Sequence, residues 1–267
     1  MQASSRPGIS RAELLVVLLV SSMLVGVLLP AVQGARQLND QEQSINNLKQ
    51  LALAVHNMHD AYGTMPPVVG SFPDRGQNSM GTIFHFMLPF VEQDNTYRNS
   101  YDGRGYYVWH NDSWGQTIKT FVAPGDTSAA ADYRHENWLA TSNYAANYQL
   151  FGSNPGGGVR LANITDGTSN TMMFAERYRK CGEHVCSWGY PTLYYWAPVY
   201  AYYSQGKFQA TPTQKKCDAG LAQSLHARGI HVAMADGSTK TVADTVSPRT
   251  WWLVCTPSDG TVLDRDW

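Results

Sequence analysis

The chain has 267 residues, which is enough for one membrane-spanning helix and one or two soluble units. Its formal net charge of -1 excludes the strongly basic surface that a nucleic-acid-binding protein normally carries. Charged residues make up 15% and aromatic residues 12%, and there are 23 glycines and 13 prolines, so the composition favours a soluble part built from short strands and turns.

The first predicted element is a membrane-spanning helix. Residues 14–32 carry no formal charge, and as a helix they would extend about 29 Å, close to the ~30 Å hydrocarbon core of a bilayer. Because Arg6 and Arg11 precede this run, the positive-inside rule places the N-terminus in the cytoplasm and the rest of the chain on the exported side. Glu13 stands directly before the run. A charge at the edge of hydrocarbon is costly, so Glu13 indicates a role in assembly as well as in anchoring.

Three processing schemes fit this segment. A secretory signal would be cut at a small-residue site, which residues 32–34 supply, whereas a signal anchor would not be cut. In the third scheme, cleavage between Gly8 and Ile9 leaves the apolar helix on the mature chain. Only this scheme gives Glu13 a purpose, because its carboxylate can neutralise the new α-amine of a neighbouring subunit at low dielectric constant.

The helix is predicted to continue well beyond the apolar run. Apolar residues recur mostly in steps of three and four, the spacing of one helical face: Ala35, Leu38, Ile45, Leu48, Ala52 and Val55. Gly63 and the Pro66-Pro67 pair supply a stop signal. The pattern predicts a helix over residues 9–62 within an N-terminal region of residues 9–65, and Pro30 is expected to kink it near the membrane exit.

Residues 66–267 are predicted to form a β-rich head, because short apolar segments alternate there with turn residues. The clearest local pattern is a β-hairpin over residues 229–242, with Asp236-Gly237 as its turn. The other predicted elements are a strand or short helix at 82–91 and strands at 118–122 and 171–177. Residues 182–216 are rich in tyrosine and fit no element, so they are interpreted as an insertion.

Four cysteines lie in the last third of the chain, and on the exported side of a membrane an even count favours two disulfides. Three pairings are open. Among them, a Cys181–Cys186 bond would close a tight loop, and a Cys217–Cys255 bond would tie the C-terminal segment to the body. A competing metal site at Cys181, His184 and Cys186 lacks a second close pair of ligands.

Other candidate ligands lack diagnostic spacing. His226 and Asp236 invite a catalytic or metal-binding interpretation, but no third ligand stands at a diagnostic spacing. We therefore expect His226 to hydrogen-bond to the hairpin and Asp236-Gly237 to supply turn geometry. His56 and His59 are expected to be cations favoured by the helix dipole rather than a metal clip.

The sequence indicates no cofactor, but it does offer candidate ligands for calcium. Three C-terminal aspartates offer oxygen ligands, although they fit no standard calcium loop: Asp259, Asp264 and Asp266. The three glycines at residues 156–158 lack the Lys-Ser/Thr of a phosphate-binding loop and are expected to form a flexible turn. Neither G-x-S-x-G nor H-E-x-x-H occurs in the sequence, so no catalytic residues are assigned and the chain is not expected to be an enzyme.

Several motifs together resemble a known family. Gly8, Glu13 and the apolar run look like the cleavage signal of type IV pilins and type II secretion pseudopilins. The segments A-V-Q-G-A-R, F-M-L-P-F-V-E-Q, T-S-N-Y-A-A-N and I-T-D-G-T-S-N-T-M-M-F-A-E-R resemble the prepilin-like family called domain of unknown function 1559. His226, followed after nine residues by Asp236-Gly237, matches the H-X9-DG element of that family's C-terminal region.

This resemblance implies a leader peptide of residues 1–8, removed by a prepilin peptidase, and N-methylation of Ile9. It also implies an α+β, pilin-like fold in which a long N-terminal helix packs on the β-rich head. The chain departs from the family in carrying Ile9 in place of an aromatic residue and Arg11-Ala12 in place of an apolar pair. Residues 123–126, Ala-Pro-Gly-Asp, replace a frequent Cys-Pro-Ser-Asp segment.

Two functions follow as expectations. The first is a structural subunit, held by a single helix in the lipid of the bacterial inner membrane with its head in the periplasm. It would assemble with other pilin or pseudopilin subunits into a pilus or type II secretion pseudopilus, which could carry it to the cell surface. The alternative is a membrane-tethered module that forms no filament and binds a glycan or another polymer through aromatic residues in the range 194–203.

Overall fold

The computed structural model describes residues 11–73, 78–129, 133–153, 159–202 and 205–267. Contacts divide the chain into two compact units, Met1–Asp40 and Gln41–Trp267. The α-helices are α1 (Arg11–Tyr62), α2 (Ile83–Met87), α3 (Asp94–Asn99), α4 (Tyr148–Phe151) and α5 (Pro248–Leu253). Single 3-10 turns lie at Leu88–Phe90, Ser113–Gly115, Lys119–Phe121, Leu161–Asn163 and Thr168–Asn170.

The strands of the head are short. In chain order they are β1 (Val69–Ser71), β2 (Asn78–Thr82), β3 (Gly105–Tyr107), β4 (Arg134–His135), β5 (Leu139–Ala140), β6 (Tyr144–Asn147), β7 (Met172–Glu176), β8 (Lys180–Cys181), β9 (His184–Val185), β10 (Val199–Tyr200), β11 (Gln209–Ala210), β12 (Gln223–Ser224), β13 (Ile230–Met234) and β14 (Thr239–Val242). The long helix and this β-rich region make the fold α+β, as predicted.

Helix α1 ends where the sequence indicated. Gly63 has a φ of 78°, a left-handed conformation that glycine adopts without strain, and its N–H donates to the carbonyl of His59 at 2.7 Å. The helix runs without interruption through Pro30, and a kink at that residue stays a prediction. Within the second unit, one face of α1 is fully buried in the core: Leu48, Leu51, Ala52, Val55 and Met58.

A five-stranded sheet forms the centre of the head, in the order β10-β6-β7-β13-β14. Its neighbouring strands are antiparallel except for β10, which runs parallel to β6. All residues of β7 and β13 are buried, which is why both sequences read as continuous rather than alternating apolar segments. The predicted strand at 171–177 and the hairpin at 229–242 are both present.

Two predicted elements differ from the structure. Residues 118–122 form no strand; Lys119–Phe121 is a 3-10 turn that places Phe121 in the core, with its ring 5.0 Å from that of Phe84. The apolar residues there follow the spacing of a turn and not the alternation of a strand. Residues 182–216 are not a separate insertion, because they include β10, which is the edge strand of the central sheet.

The structure contains one disulfide, between Cys181 and Cys217, so the expectation of two is wrong. Cys186 and Cys255 are free, fully buried thiols. Burial raises the pKa of Cys186 to about 11 and raises the pKa of Cys255 as well, so both behave as small apolar residues of the core. The disulfide also removes Cys181 as a thiolate ligand for a metal beside His184.

Candidate functional site

The N-terminal unit presents a continuous apolar surface. The large apolar side chains described between residues 14 and 32 are exposed by 47% at Val32 to 71% at Met23. Glu13 is also exposed and lies in the first turn of α1, where a negative charge is favoured by the helix dipole. By length and composition, this helix is able to cross a membrane. Gly8 and Ile9, the predicted cleavage and methylation positions, lie outside the described residues.

In the head, the structure separates the two halves of the H-X9-DG element. His226 precedes strand β13, and Asp236 and Gly237 follow it, so a strand of about 16 Å lies between the histidine and the turn. The Asp236 carboxylate accepts a hydrogen bond from the N–H of Ser238 at 2.8 Å, and Gly237 has a φ of 86°. Asp236 and Gly237 therefore supply turn geometry, while His226 belongs to a different site.

That second site brings together Glu176, His226 and His231. Glu176 is the last residue of β7, and His231 lies on the neighbouring strand β13 and donates its backbone N–H to Glu176 Oε2 at 3.1 Å. His226 Nε2 lies 3.8 Å from Glu176 Oε1. One carboxylate oxygen and one ring nitrogen from each histidine all lie within 4.8 Å of one another, close enough to hold a metal ion.

Buried hydrogen bonds hold Glu176 in place. Ser44 on α1 donates its hydroxyl to Glu176 Oε1 at 2.6 Å, and Tyr144 on β6 donates to Ser44 Oγ at 3.2 Å. Complete burial raises the pKa of Glu176 to about 7, an effect that is partly offset by the hydrogen bonds from Ser44 and from backbone N–H groups. Burial and, to a smaller extent, the neighbouring His226 lower the pKa of His231 to about 4.

The other predicted ligands do not share a site with this cluster. His56 Nε2 lies beside Gly237, 3.6 Å from the position a β-carbon would take, whereas His59 Nε2 accepts a hydrogen bond from the N–H of Leu161 at 3.4 Å. These two histidines therefore contact different segments of the head.

The C-terminal carboxylates accept local hydrogen bonds. Asp259 accepts from the N–H of Thr261, and Asp266 accepts from the N–H of Ser247, each at 2.7 Å. Asp264 Oδ2 lies 3.4 Å from the Thr250 hydroxyl. No observation tests calcium binding by these three aspartates, which the sequence left open, and residues 156–158 fall within a segment outside the described residues.

An aromatic groove of about 560 Å³ lies elsewhere on the head. Trp114 and Trp138 line it, and Trp138 is 41% exposed. The groove is also lined by residues whose polar side chains are able to donate or accept hydrogen bonds: Asp112, Gln116, Arg134 and Asn137. This combination of ring faces and hydrogen-bonding groups suits a polar ligand with a flat apolar face.

The aromatic residues at 194–203, which were predicted to bind a ligand together, differ in their exposure. Tyr194 is 47% exposed, but Tyr200 is buried in the core, and Trp196 packs against His135 with ring centroids 5.4 Å apart. Tyr203 lies outside the described residues. Tyr194 and Tyr202 are partly exposed, and each also packs against another tyrosine ring, whereas the ring of Tyr200 belongs to the core.

These features define an α+β protein whose long N-terminal helix is apolar enough to cross a membrane. The model of the family described as "Protein of unknown function (DUF1559)" matches residues 33–249, and the chain belongs to that family. The matched range begins after the apolar run, so the interpretation of Glu13 rests on the N-terminal residues themselves. No curated protein and no solved structure matches the chain.

Proposed function

We propose that the protein is a membrane-anchored, pilin-like structural subunit whose N-terminal helix packs against the same helix of neighbouring subunits in a pilus or pseudopilus. The observation that supports this most directly is the exposed apolar surface of residues 14–32. Burying one large apolar side chain is worth about 1.5–3 kcal/mol, so a run of this length strongly favours coverage by lipid or by other helices. The proposal includes processing by a prepilin peptidase and no reaction of the chain's own.

Glu13 explains how one surface would serve both environments. Lipid covers the apolar side chains of a single subunit, whereas in a filament the Glu13 carboxylate would meet the α-amine at Ile9 of its neighbour. Each charge alone is costly in a medium of low dielectric constant, and together they attract each other strongly. This pairing would give subunits a defined register along the filament.

Replacing the carboxylate tests the proposal. Glu13→Ala is expected to leave membrane insertion unchanged, because the apolar run is intact, and to abolish incorporation into filaments. The measurement is the yield of sheared filaments relative to membrane-bound protein in cells expressing each variant.

Glu42→Ala is the matched control, because Glu42 is a second exposed acidic residue on the same helix, outside the apolar run. It should assemble like the wild type. Filaments at wild-type yield from Glu13→Ala would refute the pairing. The intact mass of the membrane-bound protein checks processing: a methylated terminus at Ile9 is expected, and a terminus near Ala35 would instead establish an ordinary secreted protein.

A second candidate function is glycan binding, and the groove lined by Trp114 and Trp138 favours it. We expect Trp138→Ala to weaken binding of the full chain to its preferred glycan by about tenfold or more, because an exposed ring that stacks on a sugar contributes on the order of 1–2 kcal/mol. The measurement is a glycan array with detergent-solubilised protein, followed by titration of the strongest ligand.

Tyr194→Ala is the control for this experiment, since Tyr194 is about as exposed as Trp138 but does not line the groove. Binding lost with Tyr194→Ala and retained with Trp138→Ala would move the site to the tyrosines. An array without any ligand would count against this second function and leave the structural one in place.

A further inference from the structure

The cluster of Glu176, His226 and His231 has the composition of a metal centre. Two imidazoles and one carboxylate form the ligand set of several zinc sites that keep a fourth position open, and the same set suits other divalent first-row metals. In the part of the chain that the structure describes, this is the group of histidine, cysteine and acidic residues whose ligand atoms lie close enough to hold an ion.

The position of His231 points to a ligand. This residue is only 4% exposed, and its Nδ1 is hydrogen-bonded to the hydroxyl of Thr241 at 2.9 Å. Its Nε2 is buried and has no hydrogen-bond partner, an arrangement that is costly unless something binds there. A second hydrogen bond on the far ring nitrogen is also what orients a histidine that ligates a metal.

Glu176 is supported in the same way. The Ser44 hydroxyl and the backbone N–H of His231 hold the two oxygens of its carboxylate. Ligating carboxylates are commonly fixed by such hydrogen bonds, which reduce the entropy lost when the ion binds. The site is therefore built around a carboxylate whose orientation is set from two directions.

The ligand atoms lie within 4.8 Å of one another, so binding requires the cluster to contract by up to about 1.5 Å. Ligand atoms around a tetrahedral zinc ion lie about 3.3–3.6 Å apart, given bonds of about 2.0–2.2 Å. The 3.8 Å between His226 Nε2 and Glu176 Oε1 is too long for a hydrogen bond but close to that spacing. His226 lies before β13 rather than in it, and its side chain is 11% exposed, whereas that of Glu176 is fully buried. In this proposal, rotation of the His226 side chain admits the ion and then closes the cluster around it.

We propose that Glu176, His226 and His231 bind one divalent transition-metal ion, for which zinc is the best match. The ion would connect the end of β7 to β13 and to the segment before β13, and its fourth position would hold water. This site is independent of the assembly surface on the N-terminal helix, so either proposal can fail without the other.

The test uses the full chain in detergent, treated with a chelator and then dialysed. Calorimetric titration with Zn²⁺ is expected to show one ion per chain, and His226→Ala is expected to weaken binding at least tenfold. Co²⁺ should give the visible bands of a site with nitrogen and oxygen ligands, without the intense near-ultraviolet band of a thiolate. At one Zn²⁺ concentration, the rise in melting temperature should be larger for the wild type than for His226→Ala, because the variant binds the ion more weakly.

His184→Ala is the matched control, because His184 is a partly buried histidine of the same head outside the cluster. It should bind Zn²⁺ like the wild type. His226→Gln provides a second variant, and circular dichroism without metal establishes that each variant is folded. The proposal is overturned by the absence of a one-to-one binding event, by equal affinity in both His226 variants and the wild type, by an equal loss in His184→Ala, or by a thiolate band.

Discussion

Asp126→Ala is expected to lower the free energy of unfolding of the head by about 3–5 kcal/mol. The Asp126 carboxylate lies 3.0 Å from Nε of Arg179, and both side chains are almost completely buried, at 1% and 2% exposure. It also accepts hydrogen bonds from the side chain of Asn143 and from the N–H and hydroxyl of Ser128. Removing it leaves a buried cation without its counter-charge, together with several unsatisfied donors.

The loss is measured by chemical denaturation of the full chain in detergent, followed by tryptophan fluorescence. Asp244→Ala is the matched control: Asp244 lies at the same 3.0 Å from Lys207, but its side chain is 55% exposed. An exposed pair contributes about 0–1 kcal/mol. Because the two ion pairs have the same separation, the difference between the two losses reports the effect of burial.

A double variant separates the ion pair from the rest of the network. Asp126→Ala with Arg179→Met should recover part of the loss, because no lone buried charge remains. A single-variant loss as small as that of Asp244→Ala would contradict this account, and so would a double variant that is less stable than Asp126→Ala.

Asp126 also shows why the sequence could predict some parts of the fold and not others. The helix end at Gly63 and the hairpin turn at Asp236-Gly237 depend on neighbouring residues, and both were predictable from local patterns. Besides the neighbouring Ser128, the partners of Asp126 include Asn143 and Arg179, which lie 17 and 53 residues away. No local periodicity carries information about such contacts, so the role of this aspartate emerges only from the structure.

The metal-ligand cluster was missed for the same reason. His226 stood out in the sequence, but Glu176 is 50 residues earlier and reads locally as the polar end of a buried strand. Pairing of β7 with β13, which places Val232 opposite Ala175, is what brings Glu176 and His231 together. The one available signal was a carboxylate that closes an otherwise apolar segment, where charge is rarely buried without a partner.

The H-X9-DG spacing itself now has a physical meaning. The nine intervening residues include Gly229, which forms an isolated β-bridge with His226, the five residues of β13 and the first residue of the turn. The spacing therefore corresponds to the length of strand β13: His226, a candidate metal ligand, lies before the strand, and the Asp236-Gly237 turn follows it. A shared catalytic site for His226 and Asp236, which the sequence left open, is inconsistent with this placement.

Gly229→Ala is expected to destabilise the head by about 3–5 kcal/mol, for two reasons that add. Gly229 has a φ of 133°, which residues with a side chain rarely adopt, and an added β-carbon would lie 2.2 Å from the carbonyl oxygen of Val242. Val242 pairs with Ile230 at the start of the hairpin, so relieving the clash must displace the end of β14. Since the backbone of Val242 cannot rotate away as a flexible side chain would, the clash is expected to lower the free energy of unfolding substantially.

Gly103→Ala measures the conformational cost alone. Gly103 also has a positive φ, 92°, but a β-carbon there would meet nothing within 4 Å, so a loss of about 1–2 kcal/mol is expected. The difference between the two variants, from denaturation curves under one set of conditions, reports the clash with Val242. Equal losses of unfolding free energy in the two variants would mean that the end of β14 can move away from the added β-carbon at little cost. The hairpin would then be too mobile to hold His231 against Glu176.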